Sequence, residues 1–134
     1  MSVVLDTSAL VWALEGDKAL GRRAEHLIDQ AVSDGVAHVS AISFWELSLK
    51  IRKGKFRLAL PIGDWRASIL RLGIREVAID GMIGIAANEL PNMHDDPADR
   101  LIVATALNLG ASLATSDARL LAWNGPLARI DARV

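Results

Sequence analysis

Residues 3–8 read Val3-Val4-Leu5-Asp6-Thr7-Ser8, an unbroken apolar run that ends in an acid and two hydroxyl residues. An apolar run without alternation is typical of a central strand in a parallel sheet, which is buried on both faces. Asp6 would then lie at the carboxyl end of that strand, where such sheets bind ligands. Alternatively, Asp6 only caps the following helix. We predict that Ser8 takes the capping role and leaves Asp6 free to face a cleft.

Strand and helix patterns alternate along the rest of the chain. The predicted strands cover residues 3–5, 36–39, 74–79, 112–115 and 128–131. The predicted helices cover residues 9–14, 19–33, 41–53, 61–72, 81–90, 97–109 and 118–123. Alternation with short connections predicts an α/β fold in which helices cover both faces of a parallel sheet.

Length and composition limit the classes of protein. A chain of 134 residues predicts one domain, 1–134. Its 51% hydrophobic content and mean hydropathy of +0.28 leave surplus apolar surface, which predicts a subunit interface. No apolar run approaches the roughly 18 residues of a membrane span, and no signal peptide is visible. Because cysteine is absent, disulfides and thiolate metal sites are excluded. These features predict a cytoplasmic protein.

Charge is nearly balanced overall but clustered locally. A net charge of −1 and a pI near 6.3 argue against a general nucleic-acid-binding protein, which usually carries a basic excess. The segment 50–57 nevertheless holds five cations, Lys50, Arg52, Lys53, Lys55 and Arg57. They could form a solvated helix end, because cations favour helix C-termini. They could also form a rim that contacts phosphates.

Three further acids stand where folding explains them poorly. A buried carboxylate costs several kcal/mol unless it is paired or binds a metal. Glu46 lies beside apolar residues on the predicted helix 41–53, so it is either a ligand or a surface acid. Asp99 could complete a capping box, although Asp96 alone suffices as the cap. Asp117 follows the strand 112–115 and could cap the next helix, as could Ser116.

Convergence of these acids with Asp6 would create mutual repulsion that a divalent cation relieves. Carboxylates without cysteine or histidine suit Mg²⁺ better than zinc. His94 adjoins the acids and is either a hydrogen-bonding surface residue or a contributor to the site. The chain contains neither a glycine-rich phosphate loop nor the nucleophile elbow of a serine hydrolase. The pattern therefore predicts a metal-dependent enzyme of phosphodiester chemistry.

Four sequence blocks resemble those of PIN-domain ribonucleases, and more narrowly the VapC-type toxins of type II toxin–antitoxin pairs. They are VLDTSAL at 4–10, SAISFWEL at 40–47, HDDPADRLIVATA at 94–106 and LATSD at 113–117. The resemblance covers nearly the whole chain, and the blocks occur in the family's order. It implies a three-layer α/β/α sandwich with a parallel sheet of about five strands.

The resemblance also implies endoribonuclease activity that depends on Mg²⁺ or Mn²⁺. Its catalytic, metal-binding acids match Asp6, Glu46, Asp99 and Asp117. Thr115 matches a hydroxyl that orients an acid, and Ser8 is a second supporting hydroxyl. Attack by a metal-activated water predicts a 5′-phosphate and a 3′-hydroxyl at the cut. Asp95 is an additional acid and is either an outer-shell ligand or without a role.

The implied partners are RNA, a cognate VapB-type antitoxin and a second copy of the chain. A basic antitoxin tail would complement the acidic pocket. The helix 41–53 is apolar on two faces, which predicts a homodimer. The basic segment 50–57 and Arg100 would contact RNA or antitoxin, although Arg100 could instead pair with Asp96. Two alternatives are a catalytically weak PIN-type module that binds RNA or protein, and a metal-dependent phosphohydrolase of small phosphate esters.

Overall fold

Five parallel strands form one sheet in the computed structural model, which describes all residues from Met1 to Val134. The sheet order is β3-β2-β1-β4-β5, and every neighbouring pair is parallel. The strands are β1 Val3–Leu5, β2 Ala37–Ser40, β3 Arg75–Val77, β4 Ser112–Thr115 and β5 Arg129–Asp131. The predicted parallel sheet of five strands is confirmed.

Seven helices connect and cover the strands. They are α1 Thr7–Glu15, α2 Arg22–Ser33, α3 Ala41–Arg52, α4 Ile62–Arg71, α5 Gly81–Asn88, α6 Pro97–Leu109 and α7 Ala118–Ala122. None of them combines the length and the apolar character that crossing a membrane requires.

The central strand β1 is buried on both faces, as its uniform apolar sequence predicts. Val3 and Leu5 belong to the core cluster that contains Ile28 of α2. Val4 belongs to a second cluster with Ile102 of α6. Because neighbouring strand residues point to opposite faces, these two clusters lie on opposite sides of the sheet. The three-layer α/β/α sandwich is therefore confirmed.

The strand order changes direction between β1 and β4. Within the sheet, β2 and β3 follow one another along one flank of β1, whereas β4 and β5 lie along its other flank. Such a switch leaves a crevice at the carboxyl ends of the two strands. Leu5 is in register with Ala114, and the Asp6 amide donates to the Ala114 carbonyl at 2.9 Å. This register places Asp6 beside Thr115.

The helices that follow β1 and β4, α1 and α7, are both capped by acids. Asp6 caps α1, because its Oδ1 accepts a hydrogen bond from the Thr7 amide at 2.8 Å. The prediction that Ser8 caps this helix is wrong, since α1 begins at Thr7 and the Ser8 hydroxyl pairs with Ser116 Oγ at 2.9 Å. Asp117 caps α7 by accepting from the Arg119 and Leu120 amides.

Two predicted boundaries also differ from the structure. Helix α2 begins at Arg22 rather than at residue 19, because Asp17 Oδ1 accepts from the Ala19 amide and holds the preceding residues in a turn. The third strand pairs with β2 only from Arg75 to Val77, which is shorter than the predicted 74–79.

Candidate active site

The four predicted acids line one cleft of about 470 Å³ at the carboxyl ends of β1 and β4. Asp6 enters it from the end of β1 and Asp117 from the start of α7. Glu46 reaches it from α3 and Asp99 from the first turn of α6. Acids that are far apart in sequence are therefore neighbours in the fold.

Asp6 is held by hydrogen bonds at both carboxylate oxygens. Oδ1 accepts from the Thr7 amide, and Oδ2 accepts from Thr115 Oγ1 at 2.7 Å. The same Thr115 oxygen accepts from the Asp117 amide at 3.0 Å. Thr115 is fully buried. Its hydroxyl therefore holds the Asp6 carboxylate and the Asp117 backbone in place from the protein interior.

The environment of Asp6 disfavours its charged form. Burial raises its pKa to about 6, against the lowering effect of the hydrogen bonds from Thr115 and Thr7. The charges of Asp99 and Glu46 raise the pKa further. A carboxylate under these conditions gains free energy from a nearby cation.

Asp99 is buried at the start of α6, where its Oδ2 lies 2.7 Å from Nε2 of His94. Burial raises the pKa of Asp99, the hydrogen bond from His94 lowers it, and the charges of Asp96 and Asp117 raise it again. From sequence alone, His94 was either a surface residue or a contributor to the site. Its position five residues before Asp99 gave no helical spacing that would bring the two side chains together.

Asp117 combines helix capping with an ion pair. Burial raises its pKa, but hydrogen bonds from the Arg119 side chain and amide and from the Leu120 amide outweigh this effect, so the pKa is lowered. Arg119 Nη2 lies 3.2 Å from Asp117 Oδ2. Arg119 did not stand out in the sequence, although an arginine two residues after an acidic cap is within reach of the cap.

Ser8 and Thr7 connect the elements around the cleft. Ser8 lines the cleft, and its bond to Ser116 joins α1 to the segment after β4. Thr7 Oγ1 donates to Ser43 Oγ at 2.9 Å and joins α1 to α3, the helix that carries Glu46. These contacts hold α1, α3 and the segment after β4 in fixed positions around the cleft.

The carboxylates suit a hard divalent cation, although no group of three or more His, Cys, Asp or Glu side chains is arranged to hold a metal as it stands. Asp6 is bound to Thr115 and Thr7, and Asp117 is bound to Arg119. Mg²⁺ usually takes only about one or two protein carboxylates and keeps several waters. The oxygen-only donor set of this cleft therefore fits Mg²⁺ or Mn²⁺.

The predicted basic segment lies only partly at the cleft. Lys50 and Lys55 line the cleft beside the acids. Lys53 lies in an adjoining groove that also contains Asp96. Arg52 and Arg57 are exposed and lie outside the cleft lining.

Arg100 contacts the protein interior instead of the cleft. Its guanidinium donates to four backbone carbonyls, those of Ala87, Leu90, Met93 and His94, at 2.7–3.4 Å. This geometry supports neither the predicted contact with RNA or antitoxin nor the alternative pairing with Asp96. Arg100 ties the segment between α5 and α6 to α6.

Asp95 is exposed and does not line the cleft. Asp96 does line it and caps α6, because its Oδ1 accepts from the Asp99 amide at 3.1 Å. The negative charge beside the site thus comes from the capping acid and not from its neighbour.

The raised pKa of Asp6 predicts that the metal-free protein loses stability as pH rises. An aspartate with a folded-state pKa of about 6 and an unfolded value near 3.9 favours folding most below about pH 4, and this contribution is lost through about pH 6. In EDTA, the free energy of unfolding from urea titrations should fall by about 1–2 kcal/mol between about pH 5 and about pH 8. Asp6→Asn should reduce that fall, and an equal slope in the variant would contradict the assignment.

Comparison with known proteins identifies the family of the chain. The PIN domain family model matches residues 3–124. "Ribonuclease VapC22" of Mycobacterium tuberculosis is 34% identical over 126 residues, which span 93% of this chain and 94% of that protein.

Two solved structures share the fold at low sequence identity. VapBC2 from Rickettsia felis, bound to a DNA fragment from its promoter, gives a TM-score of 0.71 at 15% identity and covers 97% of this chain and 98% of its own. A toxin–antitoxin complex from Klebsiella pneumoniae gives 0.63 at 18% identity, with 96% of each chain covered. The resemblance that the four sequence blocks predicted is confirmed. The chain belongs to the PIN domain family.

Proposed function

We propose that this protein is a metal-dependent endoribonuclease, the toxin of a type II toxin–antitoxin pair. The observation that carries the proposal is the convergence of Asp6, Glu46, Asp99 and Asp117 on one cleft. Membership of the PIN domain family and the similarity to a protein named as a VapC ribonuclease support it. We treat residues 1–134 as one nuclease domain.

The proposed catalytic and metal-binding residues are these four acids. When bound, Mg²⁺ or Mn²⁺ supplies a water of lowered pKa and neutralises charge on the phosphate. The chain orients the donors: Thr115 fixes one oxygen of Asp6, and His94 holds Asp99. Because these hydrogen bonds exist before substrate binds, little reorganisation is required during the reaction.

Basic side chains at the cleft offset part of the negative charge of the acids. Lys50 and Lys55 share the cleft with the acids and can contact the phosphates of bound RNA. Lys53 extends this charge into the adjoining groove, and Arg52 and Arg57 are exposed outside the cleft lining. We expect RNA affinity to fall as salt rises, since bound cations replace condensed counterions on the phosphates.

The proposed protein partners are a VapB-type antitoxin and a second copy of the chain. A basic antitoxin segment would be attracted to the acidic cleft and would occlude it. The homodimer proposal is supported by exposed apolar side chains on two helices that pack on α6: Trp45 of α3, and Met82 and Ile85 of α5. We place the protein in the cytoplasm, where its RNA substrate would be found.

Purified protein tests the function directly. We expect cleavage of structured RNA with Mg²⁺ or Mn²⁺, none in EDTA, and recovery when excess metal is returned. Cleavage that persists in EDTA would contradict the metal requirement. Binding of RNA without cleavage under all metal conditions would favour the binding module, and turnover of a small phosphate ester alone would favour the phosphohydrolase.

A further inference from the structure

A single arginine links two of the acids in the cleft. Arg119 Nε lies 3.4 Å from Asp117 Oδ1, and its Nη2 lies 3.2 Å from Asp117 Oδ2. The same Nη2 is 3.6 Å from Asp99 Oδ2. The guanidinium therefore bridges α7 and α6, while 59% of its side chain stays accessible to solvent.

A second Asp-x-Arg pair shows which part of this arrangement is local. Asp131 accepts from the Arg133 amide at 2.9 Å and from its Nε and Nη2 at 3.0 Å. The pairing of Arg119 with Asp117 follows the same spacing, so it requires no functional explanation. The contact with Asp99 is different, because Arg133 has an ion pair with Asp131 alone.

The contact with Asp99 occupies a carboxylate oxygen that faces the proposed metal-binding acids. Asp99 Oδ2 contacts His94 and Arg119, and Asp117 Oδ2 contacts Arg119. A cation that binds these oxygens must displace the guanidinium or share the carboxylates with it. Like charges that compete for one pair of acids lower each other's affinity.

We propose that Arg119 is a built-in counter-cation of the cleft, a positioning residue that holds Asp99 and Asp117 together in the metal-free protein and competes with the divalent metal for them. The inference rests on the metal dependence in the proposed function. The inference predicts opposite effects of removing the Arg119 charge on two quantities. The affinity for the divalent metal should rise, and the thermal stability of the metal-free protein should fall.

The test measures Mn²⁺ binding by calorimetry on metal-free protein. Arg119→Gln should lower the Kd for Mn²⁺ about 30-fold at low salt, the change expected for removing one positive charge about 4 Å from a divalent cation in water. Arg119→Lys, which retains the charge, should stay closer to wild type. Arg133→Gln is the matched control, because it removes the same kind of ion pair away from the cleft, and it should leave the Kd unchanged.

A second readout requires no metal. In EDTA, Arg119→Gln should lower the Tm more than Arg133→Gln, because two carboxylates lose their counter-cation instead of one. Unchanged or weaker Mn²⁺ binding by Arg119→Gln, or an equal loss of Tm in both variants, would overturn the inference.

RNA cleavage by the wild-type protein, measured in parallel, separates this inference from the proposed function. Mn²⁺ binding that does not differ among the variants, together with RNA cleavage, overturns only the role of Arg119. Stronger Mn²⁺ binding by Arg119→Gln without any RNA cleavage by the wild type overturns the ribonuclease and leaves the counter-cation role supported. Absence of Mn²⁺ binding overturns both.

Discussion

Asp6→Asn should reduce the rate of RNA cleavage by about 10²–10³-fold, the scale expected when a preorganised electrostatic group is removed from an active site. The substitution retains the size of the side chain and one oxygen that can accept the hydrogen bond from Thr115. It removes the charge that attracts the metal. The measurement is single-turnover cleavage at saturating Mg²⁺, together with RNA binding in EDTA.

RNA binding should be unchanged or stronger in this variant, because one negative charge leaves the cleft. Asp29→Asn is the matched control, since Asp29 is exposed on α2 and lies outside the cleft lining. It should cleave RNA at the wild-type rate. Residual cleavage by Asp6→Asn within about tenfold of wild type, far short of the expected loss, would exclude Asp6 as a catalytic residue.

Arg100→Leu should lower the free energy of unfolding by about 3 kcal/mol or more, because charged hydrogen bonds to buried acceptors are among the larger contributions of single residues. Four carbonyls lose their donor, three in the segment between α5 and α6 and one, that of Ala87, near the end of α5. His94 is one of the residues whose carbonyl is released, so Asp99 should also lose part of its support. Urea denaturation measures the change.

Arg23→Leu provides the comparison, since Arg23 is an exposed arginine on α2. It should change stability by less than about 0.5 kcal/mol. An Arg100→Leu protein that is as stable as this control but binds RNA weakly would restore the sequence-based hypothesis that Arg100 contacts RNA.

The fold was accessible from the sequence where burial alone decided it. The uniform apolar run of β1 has no exposed face, so it predicted a central parallel strand, and the structure buries Val3 and Val4 on opposite sides of the sheet. Strong local signals were equally informative. Asp96 and Pro97 define the start of α6, and Gly110 ends it in a left-handed conformation with φ of 63°.

The capping of α1 was not accessible in the same way. Ser8 and Asp6 are both good capping residues, so composition did not distinguish them. The register of β1 against β4 determines which residue caps the helix. It places Thr115 and Ser116 within hydrogen-bonding distance of the side chains of Asp6 and Ser8. Asp6 thus caps the helix and faces the cleft, a combination that the two competing interpretations had treated as alternatives.

The partners of charged side chains were the least predictable part of the site. The acids could be identified because each stood beside apolar residues or strand ends. The bond from His94 to Asp99 and the bridge from Arg119 to Asp99 depend on tertiary packing that brings the loop before α6 and the start of α7 to the same carboxylate. Arg100 illustrates the same limit, since its four carbonyl acceptors all lie before it in the chain and are gathered only by the folded loop.

The chemistry of the new RNA ends tests the central claim most directly. Total RNA treated with the wild-type protein and Mg²⁺ should yield fragments with 5′-phosphates and 3′-hydroxyls at discrete positions, because a metal-activated water attacks phosphorus. The same positions should be uncut with Asp6→Asn or in EDTA. Fragments that end in a 2′,3′-cyclic phosphate would show attack by the RNA's own 2′-hydroxyl and would contradict the proposed role of the four acids.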